Sequence, residues 1–305
     1  MSVLIVIPAR MKATRLPNKP MASIGGVPMI VQVWKRAMES GVGEVIVACD
    51  GPEIADAITK AGGVAILTDP DHPSGSDRIW EAVTKHELAT GAVVPLPLRA
   101  RSENNQRIDA DYSSPRLGEG ASIENIHSHQ PLTQPSPARG EGSLAAASSP
   151  KNSYDIILNL QGDVPTLEPR LLQELLAPLD NPEVDIATLA AEITRAEEHD
   201  NPSVVKAIIA LKDNEKAGRA LYFTRATAPT GEGPRYHHIG VYAYRRTALE
   251  RFVSLPPSPL ELREKLEQLR ALEAGMRIDA VVVDTVPLGI DTPEDLARAR
   301  KIMGE

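Results

Sequence analysis

Apolar runs that are typical of buried strands alternate with amphipathic helical segments over residues 1–90 of this chain. The predicted strands lie at 3–7, 45–48 and 64–68, and the predicted helices lie at 29–40, 52–61 and 77–87. Strands that are joined by helices through short connections run parallel, with right-handed crossovers. The alternation therefore predicts an α/β fold that is built around a parallel sheet.

Regular patterns resume after residue 152. Strands are predicted at 156–160, 186–190, 204–211, 238–244 and 278–283, and helices at 169–179, 260–274 and 293–303. The last helix has a clear start, because Thr292 can cap it and Asp295 follows three positions later, as in a capping box.

Residues 91–152 interrupt this pattern with a segment rich in Pro, Ser, Gly, Asn and Arg. Within it, residues 114–120 and 136–142 match at five of seven positions. Such a composition buries too little apolar surface to offset its chain entropy. We therefore predict a single domain over residues 1–305 with a low-complexity, disordered insertion at 91–152. An arm that folds on a partner is the alternative.

Composition argues against several classes of protein. The formal net charge is −8 and the sequence pI is about 5.5, whereas binding to nucleic acid requires a broad basic surface. The single cysteine, Cys49, excludes intrachain disulfides and a cysteine-rich zinc site. No apolar run approaches about 18 residues and no signal peptide is apparent, so we expect a cytoplasmic protein without a membrane span.

A basic loop follows the first predicted strand. Residues 8–20 carry four cations, Arg10, Lys12, Arg15 and Lys19, and three prolines that constrain the backbone. Arginine offers planar pairs of donors to phosphate oxygens, and lysine offers a mobile point charge. Because ligands of α/β sheets bind outside the carboxyl ends of strands, we interpret this loop as a site for a multiply charged phosphate. A solvated basic loop is the alternative.

A second loop, Ser74-Gly75-Ser76-Asp77-Arg78, called the serine loop below, opens the third predicted helix. Its glycine and hydroxyls can present backbone N–H groups and the positive end of the helix to an anion or a base edge. A plain N-cap by Ser76 or Asp77 is the alternative. The sequence contains neither a P-loop nor a dinucleotide-binding glycine motif, so neither explains the basic loop.

Two aspartates follow predicted strands that are far apart in the chain. Asp163 ends the segment Gln161-Gly162-Asp163 after one strand, and Asp291 follows another. Their carboxylates can share a Mg²⁺ ion, which prefers hard oxygen ligands and bridges substrate phosphates. Each aspartate alone is more often a turn or cap residue. Together with the basic loop, the pair indicates metal-assisted attack on a nucleoside triphosphate.

Polar residues in the C-terminal half are candidates for contact with a second substrate. They are Arg225, His237, His238, Glu261, Glu267 and Gln268. For the glutamates the alternative is an ion pair on a helix face, from Glu261 to Lys265 and from Glu267 to Arg270.

Eight short segments carry a family resemblance. They are Pro8-Ala9-Arg10, Arg15-Leu16-Pro17, Lys19-Pro20, Gln161-Gly162-Asp163, His238-Ile239-Gly240-Val241-Tyr242, Ser258-Pro259-Leu260-Glu261, Glu267-Gln268-Leu269-Arg270 and Asp291-Thr292-Pro293-Glu294-Asp295. Their order and combination closely resemble the 3-deoxy-manno-octulosonate (Kdo) cytidylyltransferases, or CMP-Kdo synthetases. The resemblance covers essentially the whole chain except residues 91–152.

The resemblance implies a fold and a reaction. The fold is α/β, with a Rossmann-like three-layer core, a mixed, mostly parallel sheet of seven strands and a small dimerisation lobe. The protein would be a homodimeric nucleotidyltransferase that uses Mg²⁺ and acts on CTP and Kdo, without nucleic acid or membrane partners. Its products would be pyrophosphate and the CMP-Kdo that lipopolysaccharide biosynthesis consumes.

The resemblance also implies roles for individual residues. Lys19, Asp163 and Asp291 would be catalytic, and the two aspartates would ligate the metal. The residues expected to bind CTP are Pro8, Ala9, Arg10, Arg15, Lys19, Ser74, Gly75, Ser76, Gln161 and Gly162. The residues expected to position Kdo are Arg225, His238, Tyr242, Glu261 and Gln268.

Several positions depart from the family pattern. His237 stands where the family usually has Arg, and Val164 follows Gln-Gly-Asp where Glu is usual. The segment 228–236 is shorter than the usual loop, and Ser76-Asp77-Arg78 replaces the common Thr-Glu-Arg. The alternatives are another nucleotidylyltransferase, for sialic acid or a hexose phosphate, and an inactive nucleotide-binding paralogue.

Overall fold

A computed structural model of the chain describes residues 1–12, 15–91 and 153–305. The predicted insertion at 91–152 lies outside the described residues except for Gly91, so its disorder stays a prediction. The residues on either side of it form one compact unit.

Within the described residues, nine strands form one sheet, and two further short strands pair with each other. In chain order the eleven strands are β1 (Val3–Ala9), β2 (Ser23–Ile24), β3 (Val27–Pro28), β4 (Glu44–Cys49), β5 (Val64–Leu67), β6 (Ile156–Asn159), β7 (Ile186–Glu192), β8 (Lys206–Ala210), β9 (Ala217–Thr224), β10 (Tyr236–Arg245) and β11 (Ile278–Val283). The strand order in the large sheet is β5-β4-β1-β6-β10-β7-β11-β9-β8.

Helices connect most of these strands. They are α1 (Met29–Glu39), α2 (Pro52–Lys60), α3 (Gly75–Ala89), α4 (Arg170–Glu174), α5 (Ala196–His199), α6 (Arg246–Ser254), α7 (Pro259–Glu264), α8 (Leu269–Glu273) and α9 (Pro293–Ile302). Two short 3₁₀ helices lie at Lys19–Met21 and Ala177–Asp180.

The sheet is mixed. β5, β4, β1 and β6 pair in parallel, as the strand–helix alternation predicts, and β7 pairs with β11 in parallel. Of the nine strands only β9 and β10 run in the opposite direction. The expected seven-stranded sheet is wrong for the described residues, because antiparallel β8 and β9 extend one edge. The predicted strands do not include β9, because exposed Arg219 and Leu221 interrupt its apolar pattern.

The sheet carries a hydrophobic core on each face. In β1, Ile5 and Ile7 pack into the core that α1, α2 and α4 cover, while Leu4 and Val6 pack into the core that α3, α6 and α8 cover. Side chains alternate between the faces of a strand, so a strand that is buried on both sides must be apolar throughout. The continuous apolar run at the start of the chain is explained by this double burial.

Two predicted helices are interrupted. The long helix expected at 260–274 is wrong: α7 ends at Glu264, the next residue Lys265 has a left-handed φ of 57°, and α8 starts only at Leu269. The helix expected at 169–179 breaks into α4 and a 3₁₀ turn that contains Pro178. Proline lacks the N–H that a continuing helix requires, which explains the second break.

Helix starts follow from side-chain caps. Thr292 and Asp295 form the predicted capping box of α9. Helix α3 begins at Gly75 and is capped by Ser74, which accepts a hydrogen bond from the N–H of Asp77, so neither Ser76 nor Asp77 is the cap. Within the described ranges, no helix is both long and apolar enough to cross a bilayer.

Candidate active site

A polar groove lies at the carboxyl ends of β1 and β6. Its main cavity has a volume of about 260 Å³ and is lined by Pro8, Ala9, Arg10, Lys12, Lys19, Pro20, Met29, Gln161, Gly162, Asp163 and Asp291. A smaller cavity of about 70 Å³ shares four of these residues and adds His72, Ser74, Gly75 and Arg78. The basic loop, the start of α3 and both aspartates therefore meet in one place.

Lys19 joins the two predicted metal ligands. Its Nζ atom lies 2.7 Å from Oδ2 of Asp163 and 2.7 Å from Oδ1 of Asp291. Burial lowers the pKa of Lys19, but the charge of Asp163 and hydrogen bonds to both carboxylates outweigh it and raise the pKa above its usual value. Burial alone would raise the pKa of Asp291, but the hydrogen bond from Lys19 and the charges of Lys19 and Arg15 outweigh burial. The pKa of Asp291 is therefore below its usual value. The three groups form a charged cluster on the groove wall.

The aspartates are held together by backbone contacts between distant segments. The N–H of Ile290 donates to the carbonyl of Asp163 at 2.9 Å, and the N–H of Leu288 donates to Oγ1 of Thr166 at 2.8 Å. A Cβ atom added to Gly162 would lie 2.8 Å from the carbonyl oxygen of Pro8. The close approach of the Gln-Gly-Asp turn to the basic loop therefore requires glycine.

The outer part of the basic loop is exposed. Nη2 of Arg15 lies 3.8 Å from Oδ2 of Asp291, and its side chain is 71% exposed. The structure thus places Arg15 at the groove mouth, where an arginine can reach a ligand without a large desolvation cost.

The first two residues of the serine loop line the groove, and the side chain of the third is buried in the protein. Ser74 and Gly75 line the smaller cavity. Ser76 is only 1% exposed, and its Oγ donates to Oε2 of Glu267 at 3.0 Å. The structure therefore does not bring the Ser76 side chain into the groove, and its contact with a nucleotide stays a prediction.

Three residues that are expected to position the second substrate are buried or half-buried in the protein. His238 and Gln268 are buried, and Tyr242 packs against the ring of His238 with a centroid distance of 5.5 Å. Burial and the neighbouring His237 lower the pKa of His238 to about 3, and its Nε2 lies 3.0 Å from Oγ1 of Thr188. His238 is therefore a neutral imidazole with a hydroxyl partner. His237 faces the opposite side of the sheet, as neighbouring strand residues must.

The other two residues of that group are bonded to the protein. Glu261 completes the capping box of α7, and its Oε2 accepts a hydrogen bond from Nε of Arg270 at 2.8 Å. Nε of Arg225 donates to the carbonyl of Glu264 at 3.0 Å, and its Nη1 donates to the carbonyl of Pro202 at 2.9 Å. Both side chains hold the α7 segment in place, and their contact with a substrate stays a prediction. The suggested ion pair between Glu261 and Lys265 is replaced by the one with Arg270.

The groove is not the largest cavity. One of about 730 Å³ lies at the ends of β7 and β11. Its lining holds three cationic and five acidic side chains, and Arg170 and Arg195 are paired with Glu174, Asp284 and Glu198. A further cavity of about 750 Å³ lies beside α1 and α2 and is also lined by charges of both signs. Mutually paired charges leave little attraction for a charged ligand, so we place the active site in the groove at β1 and β6.

The chain matches a known family model, described as cytidylyltransferase, over residues 4–96 and 121–278. The chain belongs to the cytidylyltransferase family. This finding confirms the family that the eight short segments indicate.

Several members of the cytidylyltransferase family are similar over their whole length. The 3-deoxy-manno-octulosonate cytidylyltransferase of Paramagnetospirillum magneticum is 49% identical over 300 residues, which cover 98% of this chain and 97% of the relative. That of Parvibaculum lavamentivorans is 51% identical over 297 residues, which cover 97% of this chain and 91% of the relative.

A solved structure of the family has the same fold. It is CMP:2-keto-3-deoxy-manno-octonic acid synthetase complexed with CTP, which is 32% identical to this chain with a TM-score of 0.72 and covers 99% of this chain and 98% of its own. The agreement extends the family assignment from sequence to three-dimensional structure.

The sequence analysis missed two residues of the groove. His72 and Arg78 line the smaller cavity beside Gly75. Arg78 is the last residue of the serine loop, so a signal for it was available in the sequence. His72 lies in the turn between β5 and α3, and no sequence motif marks it.

Proposed function

We propose that this cytidylyltransferase transfers CMP from CTP to Kdo, releasing pyrophosphate and forming CMP-Kdo for lipopolysaccharide biosynthesis. The observation that carries the proposal is the convergence of Lys19, Asp163 and Asp291 in a groove that the basic loop lines. The curated relatives that bear the Kdo cytidylyltransferase name, and the solved relative in complex with CTP, support the same substrates.

The nucleotide would lie along the groove. Arg10, Arg15 and Lys19 would contact the triphosphate, because cations at the strand ends oppose its negative charge. The cytidine would lie beside Pro8, Ala9, Ser74, Gly75, Gln161 and Gly162. The support for this placement is that both cavities share residues 8–10 and Gln161.

Asp163 and Asp291 fit a magnesium ion. Their oxygens converge on one positive charge, the ammonium of Lys19, and both carboxylates are partly exposed to the groove. Mg²⁺ is commonly held by one or two carboxylates together with water and substrate phosphates. When bound, the ion would offset negative charge on the phosphate oxygens.

The sugar acid would be positioned by His238, Tyr242 and Gln268, with Arg225 and Glu261 holding the segments around them. The anomeric hydroxyl would attack the α-phosphorus in line, and pyrophosphate would leave. Arg10, Arg15 and Lys19 would stabilise the charge that develops on the phosphoryl oxygens. Holding both substrates in this geometry would supply much of the rate.

A homodimer, a small dimerisation lobe and a cytoplasmic location are further parts of the proposal, and the similarity to the Kdo enzymes is their support. Light scattering on the purified chain tests the dimer. A monomeric mass at protein concentrations where the enzyme is fully active would contradict the homodimer.

A pyrophosphate-release assay over a matrix of nucleotides and sugar acids tests the function. We expect release with CTP and Kdo in the presence of Mg²⁺, and far slower release with sialic acid or hexose phosphates. Asp163→Asn should reduce Mg²⁺-dependent turnover by about a hundredfold or more, since it removes charge stabilisation at the phosphate. Asp56→Asn on α2 is the control. Turnover that prefers another sugar would refute the Kdo assignment.

A further inference from the structure

Glu267 connects the segment between α7 and α8 to the start of α3. Its Oε2 accepts the hydrogen bond from Oγ of Ser76 at 3.0 Å, across a sequence separation of 191 residues. Ser74, the cap of α3, also faces this carboxylate. The Glu267 side chain thus contacts the serine loop, whose residues Ser74 and Gly75 line the smaller cavity. Gln268 is the next residue in the chain.

Among the described residues, Ser76 is a hydrogen-bond partner of the Glu267 carboxylate. Oε1 of Glu267 has no hydrogen-bond partner among the described residues, and Nη2 of Arg270 is 3.8 Å away. Burial raises the pKa of Glu267, and the hydrogen bonds from the serines and the charge of Arg270 oppose that effect. The carboxylate is only partly desolvated, and the hydrogen bond from Ser76 offsets part of the cost of burying it.

We propose that Glu267 is a positioning residue for the nucleotide: it holds residues 74–76 in the conformation that receives the cytidine. The inference rests on the proposed function, because it assumes that the cavity beside Ser74 and Gly75 binds the nucleoside. It assigns Ser76 a role through Glu267 rather than through direct contact with the ligand.

The geometry gives the substitutions distinct consequences. Glu267→Ala leaves the buried Ser76 hydroxyl without its acceptor, so the start of α3 loses the anchor from the α7–α8 segment. Glu267→Gln keeps an oxygen that can accept from Ser76 but removes the charge. Ser76→Ala removes the same hydrogen bond from the other side. Glu273→Ala is a matched control, because Glu273 accepts a hydrogen bond from the N–H of Leu260, on the side of α8 that contacts α7.

The test measures CTP binding to the full-length protein by calorimetry, without sugar. We expect Glu267→Ala to weaken binding about tenfold, in line with the loss of one hydrogen bond. Ser76→Ala should weaken it to a similar extent, and the double variant no more than the stronger single one. Glu267→Gln should recover most of the affinity, and Glu273→Ala should match the wild type. In turnover assays, KM for CTP should rise more than kcat falls.

Three outcomes would overturn the inference. They are wild-type CTP affinity in Glu267→Ala, additive losses in the double variant, and no recovery in Glu267→Gln when thermal melts show that the variants are folded. Failure of the proposed function is distinguishable, because it would appear as wild-type protein that does not bind CTP or does not use Kdo.

Discussion

Nζ of Lys19 lies 2.7 Å from Oδ2 of Asp163, although the two residues are 144 positions apart. The lysine lies near the end of the basic loop, and the aspartate follows β6. Asp291 contacts the same ammonium from a third segment. The pairing places a positive charge between the two carboxylates that would hold Mg²⁺.

Replacing Lys19 should therefore change the affinity of the two aspartates for a divalent metal ion. Lys19→Met leaves two neighbouring carboxylates without their shared cation, so we expect Mn²⁺ to bind the nucleotide-free protein about tenfold more tightly, as follows from removing a unit charge at contact distance. Electron paramagnetic resonance of free Mn²⁺ measures this. Turnover should nevertheless fall, because the triphosphate loses a cation.

Lys12→Met is the matched control for that experiment, since Lys12 belongs to the same loop and lines the groove without contacting either aspartate in the structure. Mn²⁺ affinity that is the same in Lys19→Met and Lys12→Met would contradict the arrangement.

Gly162→Ala should disrupt the groove from the backbone. The added Cβ would lie 2.8 Å from the carbonyl oxygen of Pro8. This oxygen belongs to the backbone of β1, which cannot easily move away. We expect a loss of about 1–3 kcal/mol in the free energy of unfolding, together with a large loss of turnover. Urea denaturation measures the first quantity. Gly289→Ala adds a Cβ that meets no atom within 4 Å, so its unfolding should remain near that of the wild type.

The buried His238 should make stability depend on pH. Its pKa in the folded protein is about 3, against 6.5 for the free side chain, so the unfolded chain binds more protons between these values. Stability from this group is complete above pH 6.5 and decreases as the pH falls towards 3, by about 1 kcal/mol between pH 6.5 and 5.5. Chemical denaturation across this range should show a smaller slope for His238→Gln than for the wild type.

His199→Gln, at a half-buried histidine on α5, is the control for the pH experiment. A slope that is unchanged in His238→Gln but altered in His199→Gln would show that the assignment to His238 is wrong.

Deletion of residues 92–152 should leave turnover largely intact. The insertion follows α3 and precedes the start of β6, whereas the groove lies at the carboxyl ends of β1 and β6. A chain in which a short Gly/Ser linker replaces the insertion should release pyrophosphate from CTP and Kdo within about threefold of the wild-type rate, since closing a short loop there costs little. A drop of a hundredfold in a folded variant would show that the insertion takes part in the reaction.

Local patterns in the sequence determined much of this molecule. The spacing of apolar residues was enough to predict β1, β4 and β6, because burial on both faces demands continuous apolar strands. It also predicted the partly exposed edge strand β5 and the crossover helices. The capping box of α9 and the concentration of cations in residues 8–20 are also local properties. Both aspartates could be placed at one sheet edge, since strand direction follows from the connections.

Only the tertiary structure decided how the polar side chains pair. Ser76 belongs by sequence to the serine loop, yet its hydroxyl faces the interior because Glu267 arrives from the other end of the chain. Glu261 pairs with Arg270 across a break that Lys265 makes in the expected helix. Lys19 meets Asp163 and Asp291 for the same reason: contacts between segments more than a hundred residues apart depend on how the elements pack, which the local sequence does not encode.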